Sequence, residues 1–392
     1  MTSEVIDARR RPPAPRRRLQ PPAADGGRRA FYFMAVQHGC FAAAPLACTL
    51  YLLVLAGGHV MAFDFHYQYW AAGHAVLHGL PLYAPTPQEL ADHRAFPYPA
   101  GAGVLFAPLA LLGREAGDVL MTVITLMAPL LALRVLAVRD WRLYGLLLLW
   151  PPVMAGWENA NLTAVLVLGG AGLWRLRDRR WAAAVLLAAL VTVKPLVWPL
   201  ALFFLATGRT GTVLRTFAAG VVLNAGVWAL VGFGQFGRFT DVLHEVTRIE
   251  QYRGYSIAAF GVRHGLGETP STALALGVAL AAAAGCLLAG RRGDEPRALC
   301  LSVAVMLLAS PILWTHYLTF LVLPLAVMRP RLGPLWLLPL LTLPCPITPP
   351  SPAQHLVLLG VLAGVTLGLT VPRDRLRERG ARTGPSPSPS PS

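Results

Sequence analysis

The stretch Phe63 to Pro85 reads F-D-F-H-Y-Q-Y-W-A-A-G-H-A-V-L-H-G-L-P-L-Y-A-P, and it follows the first long apolar run of the chain. One carboxylate, Asp64, stands where that run ends, among Phe63, Phe65, Tyr67, Tyr69 and Trp70. Such an aromatic belt is expected where a chain leaves hydrocarbon and lies along the membrane interface. An ionisable group at that depth is costly to keep, which makes Asp64 a functional candidate. The segment 66–80 reads as an amphipathic interfacial helix, with Gly73 and Gly79 where backbones approach closely. His74 and His78 share one face of it, but a zinc site needs a third ligand, and no H-E-x-x-H pattern is present. A solvated polar face is the simpler reading of that pair.

Working outward, the composition agrees with a membrane-spanning chain. Of 392 residues, 55% are hydrophobic and only 14% charged, and the apolar residues come in long runs separated by Arg-rich links. That pattern excludes an ordinary soluble domain and predicts an all-α, polytopic integral membrane protein. Apolar windows fall near 37–58, 117–138, 143–157, 161–174, 181–192, 196–208, 213–233, 271–290, 298–310, 316–328, 332–347 and 354–371, about 12 spans. Several are shorter than the roughly 20 residues of a straight crossing, which points to broken or re-entrant helices. The five cysteines form no C-x-x-C pair, so neither a disulfide framework nor a metal centre is expected, and no cofactor is predicted. Residues 1–33 read as a disordered basic arm, 34–371 as the transmembrane domain, and 372–392 as a disordered basic tail ending in a Ser-Pro repeat.

The net charge of +15 would suggest nucleic acid in a soluble protein. In a membrane protein it reports topology, because Lys and Arg collect in cytoplasmic loops. With the N-terminus inside, 27 of the 34 Lys and Arg residues fall on the cytoplasmic side. Both termini are then cytoplasmic in a multi-pass cell-membrane protein, and no nucleic-acid partner is expected. The unusual polar features all land on the outer face: Asp64, the Glu158-Asn159-Ala160-Asn161 turn, Lys194-Pro195, the loop 234–270, and Ser310-Pro311 through His316. Five sequence-distant features on one side of one membrane suggest a single site.

The residue types there suit group transfer. A partly desolvated carboxylate is a stronger base, which suits Asp64 to taking a proton from a hydroxyl; the alternative is an N-cap for the following helix. Lys194 interrupts an apolar run just before a proline, a helix-breaking position where an ammonium either snorkels or meets a lipid phosphate. His316 is placed to donate to a phosphate or to tune a neighbouring acid. Asn159 and Asn161 offer groups for sugar hydroxyls or for capping the helix that follows. Glu158 is a second outer-face acid and a rival base, and the loop 234–270 reads as an amphipathic cap over the site.

Together these features resemble the polyprenyl-phosphate-mannose-dependent alpha-mannosyltransferases of glycosyltransferase family 87, within the GT-C superfamily. The resemblance spans roughly 60–370. It rests on the first-loop acid followed by tyrosine (Asp64, with Tyr67 or Tyr69), the run through Gly73, Gly79 and Tyr83, Tyr98-Pro99, Lys194-Pro195, and S-P-x-x-W-x-H at 310–316. This chain departs from the common family pattern at Glu158-Asn159-Ala160-Asn161, where only Asn161 of G-Q-x-N carries over, at Gly254-Tyr255-Ser256 in place of N-x-S, and at His316-Tyr317 in place of a His pair. The resemblance implies a GT-C fold and inverting transfer of mannose from a polyprenyl phosphate donor to a glycolipid or glycan acceptor, among membrane lipids. It implies Asp64 as general base, with Lys194, His316, Asn161, Asn159, Glu158, Tyr67, Tyr98, Ser256 and Trp314 around the substrates. Transfer of another sugar such as arabinofuranose is the alternative within enzymes. A lipid or polyprenyl transporter is the alternative outside them, although transporters place polar residues near mid-membrane and often show two related halves.

Overall fold

The computed structural model describes residues 61–345 and 349–371, together with parts of 34–50. The arm 1–33, most of the first apolar window and the tail from 372 lie outside the described residues. Within them the chain is helical throughout, with no strand. Four helices are long and apolar enough to cross a membrane: Arg114–Val135, Thr210–Val231, Glu268–Arg291 and Pro352–Thr370. They coincide with four of the predicted windows. Thr210–Val231 fully buries only Thr212 and Trp228, and Leu214, Phe217, Val221, Val222 and Leu230 are exposed, as on a helix with one face toward lipid.

Of the other windows, 161–174, 181–192 and 298–310 form single α-helices of 14 residues, Thr163–Leu176, Arg180–Val193 and Glu295–Leu308, while others are interrupted, and proline supplies the reason. The run 143–157 divides into Trp141–Leu148 and Pro151–Glu158 at Pro151-Pro152. The run 316–328 begins as a 3-10 helix at Thr315–Leu321 and becomes α-helical only at Val322–Met328. The expected span 332–347 is not an α-helix at all: Pro334 and Pro339 confine it to two 3-10 pieces, Pro334–Trp336 and Leu338–Thr342. Each proline removes a backbone donor and restricts the residue before it.

The Lys194-Pro195 break is the most consequential. Arg180–Val193 climbs to it, the 3-10 turn Pro195–Val197 reverses the chain, and Leu200–Ala206 descends. The far ends of the two limbs meet again, because Arg209 donates to Asp178 at 2.6 Å and to Glu295 at 2.7 Å. The pair is therefore a helical hairpin with Lys194 at its tip. A 14-residue helix rises about 21 Å, so the tip lies deep in the bundle while the ion pairs close its opposite end.

The opening stretch follows a different rule from the one expected. Asp64–Tyr69 forms a π-helical turn that runs into the α-helix Trp70–His78. Gly73 and Gly79 serve different ends. A Cβ at Gly73 would lie 2.6 Å from the Phe106 carbonyl, so this glycine permits close packing against Ala100–Ala110. A Cβ at Gly79 would meet nothing, but its φ of +62° makes it the left-handed C-cap that ends the helix. Phe65 and Tyr69 fill the gap beneath, both packing on Phe106.

Candidate functional site

Two loops bring Asp64 to its position. The N–H of Ala62 donates to the Glu158 carbonyl at 2.8 Å, and that of Asp64 to the Asn159 carbonyl at 3.1 Å. The turn 158–161 thus clamps the backbone on either side of Phe63. It holds Ala160 buried at φ 47°, an uncommon conformation for a residue with a Cβ. The Asp64 side chain meets the same turn, since Asn161 Nδ2 donates to its Oδ2 at 2.5 Å. Asp64 opens the π-helical turn Asp64–Tyr69, outside the four helices long and apolar enough to cross a membrane. Burial pushes its carboxyl above the usual range, while the Asn161 hydrogen bond and the Lys194 charge pull it back.

Lys194 is only 3% exposed. Its ammonium donates to Thr163 Oγ1 at 3.3 Å and lies 4.5 Å from the Tyr317 ring centre and 5.2 Å from that of Tyr98. Two aromatic faces and a hydroxyl are a recognised way to hold a buried cation. His316, 4% exposed, stands edge-on to Tyr317, and neither ring nitrogen has a hydrogen-bond partner among the described residues. An imidazole buried with both nitrogens unused is costly unless something else meets it.

All of these groups face one cavity of about 690 Å³. Its wall includes Asp64, Tyr98, Asn159, Asn161, Lys194, Trp314 and His316. Five stretches of chain separated in sequence therefore meet there. The remaining wall is mostly apolar, supplied by Leu196, Trp198, Phe239, Leu243, Val246 and Met306. Phe239, Leu243 and Val246 belong to the helix Gln235–Glu250, which lines one side of the cavity. A second charged group, Asp92, His93, Glu250 and Arg253, lines another part of the wall.

Three expected residues stand elsewhere. Glu158 has an exposed side chain that does not line the cavity, and the fold uses its carbonyl instead. Tyr67 borders a smaller neighbouring cavity, with the Arg94 guanidinium 4.2 Å from its ring centre. Ser256 is buried as the N-cap of Ile257–Arg263, accepting from the Ala259 N–H, and its carbonyl accepts from His355 Nε2. The rings of His74 and His78 stack 4.1 Å apart.

Sequence reading passed over Thr163, Gln68 and His93. Thr163 carried a readable signal: Asn161-Leu162-Thr163 is the spacing at which an Asn side chain accepts from the backbone N–H two residues on. That bond is present, Thr163 N–H to Asn161 Oδ1, at 2.8 Å. Gln68 and His93 carried none, because they meet only through the fold, where Gln68 donates to the His93 carbonyl at 3.0 Å.

A cavity with a carboxylate, a caged cation and an unpartnered imidazole can take a proton from a hydroxyl while holding an anionic leaving group. A family model described as "Glycosyltransferase family 87" matches residues 96–311, more than half of the chain. The match takes in Tyr98, Asn159, Asn161, Lys194 and Ser256; it begins after Asp64 and ends before Trp314 and His316. No curated protein and no solved structure matches the chain.

Proposed function

This chain belongs to glycosyltransferase family 87, and on that premise we propose that it transfers mannose from a polyprenyl phosphate to a lipid-linked or envelope glycan acceptor. The observation that carries the reading is the meeting of Asp64, Lys194 and His316 on one largely apolar cavity. Asp64 is the general base. It takes the proton of an acceptor hydroxyl as that oxygen bonds to the anomeric carbon; the bond from that carbon to the phosphate oxygen breaks, and polyprenyl phosphate leaves with the electron pair. Attack opposite the leaving group inverts the anomeric centre. Lys194 and His316 offset the charge that develops on the phosphate, the kind of preorganised stabilisation that accounts for much of enzymatic rate enhancement. Asn159, Tyr98 and Trp314 shape the pocket around the sugar. The architecture is of GT-C type, with the proline-broken helices completing the crossings, both termini cytoplasmic and the cavity on the outer face.

The test is transfer of radiolabelled mannose from polyprenyl phosphate to membrane glycolipids by the purified protein in liposomes. A parallel arm supplies an arabinofuranosyl polyprenyl phosphate. Mannose transfer that falls about 10²–10⁴-fold in Asp64→Asn supports the proposal. Transfer of arabinofuranose alone overturns the donor assignment, and an Asp64→Asn variant as active as the parent overturns the base.

A further inference from the structure

The sequence reading placed Asn161 against sugar hydroxyls, yet both ends of its amide are engaged inside the protein. The carbonyl end, Oδ1, accepts from the Thr163 N–H at 2.8 Å. The amino end, Nδ2, donates to Asp64 Oδ2 at 2.5 Å. An amide fits its surroundings either way round until a partner decides the matter. A peptide N–H only donates, so it holds the oxygen end, and the amino group then has to face the carboxylate. Thr163 also receives Lys194 on its side chain at 3.3 Å, so a continuous polar line runs from the acid through Asn161 and Thr163 to the buried cation.

The backbone bonds from Ala62 and Asp64 to the 158–159 carbonyls come from the same turn. One turn therefore fixes both the main chain and one carboxylate oxygen of Asp64. Among the described residues Oδ1 of Asp64 makes no hydrogen bond, and Asp64 lines the cavity. We infer that Asn161 is a positioning residue for Asp64: its amide ties up Oδ2, leaves Oδ1 to the acceptor hydroxyl, and is itself oriented by the Thr163 N–H. The inference rests on Asp64 being the base.

The two roles for Asn161 give different kinetics. A sugar-binding amide contributes mainly to KM. An amide that orients and stabilises the base contributes to kcat and to the base's ionisation. In the liposome assay, Asn161→Ala is expected to lower kcat about 10–10²-fold with KM for donor and acceptor within about twofold. Losing a donor to the carboxylate raises the carboxyl pKa, so the acid limb of the kcat/KM profile moves to higher pH, by about one unit. Asn161→Asp, nearly the same shape, sets a second carboxylate against the first and moves that limb further the same way. It carries the test should the alanine variant fold poorly. A raised KM with an unmoved acid limb in either variant overturns the inference while leaving the base assignment standing. An active Asp64→Asn variant overturns the base assignment itself, so the two failures are distinguishable.

Discussion

At the scale of single residues, Lys194 shows how a cage sets the chemistry allowed at a position. The ammonium fits between two tyrosine rings at 4.5 and 5.2 Å and reaches one hydroxyl. Lys194→Met keeps the stem and removes the charge, and it is expected to lower kcat about 10²-fold, in the range for loss of one charge-stabilising donor. Lys194→Arg is expected to restore little of this. A planar guanidinium needs a fork of acceptors, whereas this cage offers one hydroxyl and two ring faces. Steady-state transfer rates for the two variants check both statements, and an arginine variant as fast as the parent would show that charge alone suffices. The position was conspicuous in sequence, as a cation inside an apolar run ahead of a proline. Its partners were not. Thr163 reads as a helix-start residue, and the second tyrosine, Tyr317, reads as a substitution for histidine in a family pattern. Side chains that meet only through tertiary contact leave no periodic trace in the chain.

At the scale of elements, the helix Gln235–Glu250 is fastened to the first loop by polar contacts at both ends, with Phe239 against the Tyr83 ring at 5.3 Å near its start. Gln235 Oε1 accepts from the Leu82 N–H at 2.7 Å near its start. At its end Glu250 pairs with His93 and with Arg253, and Val242 is its one buried residue. Loosening the far fastening is therefore expected to free the helix without unfolding the bundle. Glu250→Gln should raise amide hydrogen exchange across 235–250 by about tenfold, since local opening follows the few contacts that hold an element. Arg248→Gln, which removes a pair with Glu245 on the exposed side, should leave exchange unchanged; equal effects from both variants would refute the clasp. The amphipathic character of this segment was legible because it follows a helical period. The 3-10 pieces at 334–342 were not, because an apolar window reports hydrophobicity and is blind to the backbone donors that Pro334 and Pro339 remove.

At the scale of the whole molecule, the charged groups sort by the end of the bundle they occupy. Far from the cavity, Arg209 bridges Asp178 and Glu295, and Arg177 donates to Glu295 at 2.9 Å, joining three links between helices. Asp140 makes a comparable tie. It caps Trp141–Leu148, holds Arg142 through two bonds of 2.8 Å, and accepts from the Leu332 N–H at 2.9 Å, 192 residues away in the chain. Those hydrogen bonds, with Arg142 first, hold the Asp140 carboxyl below the usual carboxylate range. A carboxyl depressed in the folded state adds stability that is fully present above its unfolded pKa, about 3.9, and is lost as pH falls through the lower folded value. Asp140→Asn is accordingly expected to lower the Tm at pH 7 and to narrow the difference between the parent and variant Tm values as the pH is taken down toward 3. Because Asp140 serves packing at the end remote from the cavity, the same variant should keep its kcat for sugar transfer. Asp64→Asn should do the reverse, losing transfer while its Tm at pH 7 moves little, since asparagine can still hydrogen-bond with the Asn161 amide. Thermal melting and transfer rates measured on both variants decide this division. If Asp140→Asn lost activity in proportion to Asp64→Asn, the two ends would be coupled, and the division of labour between them would fall.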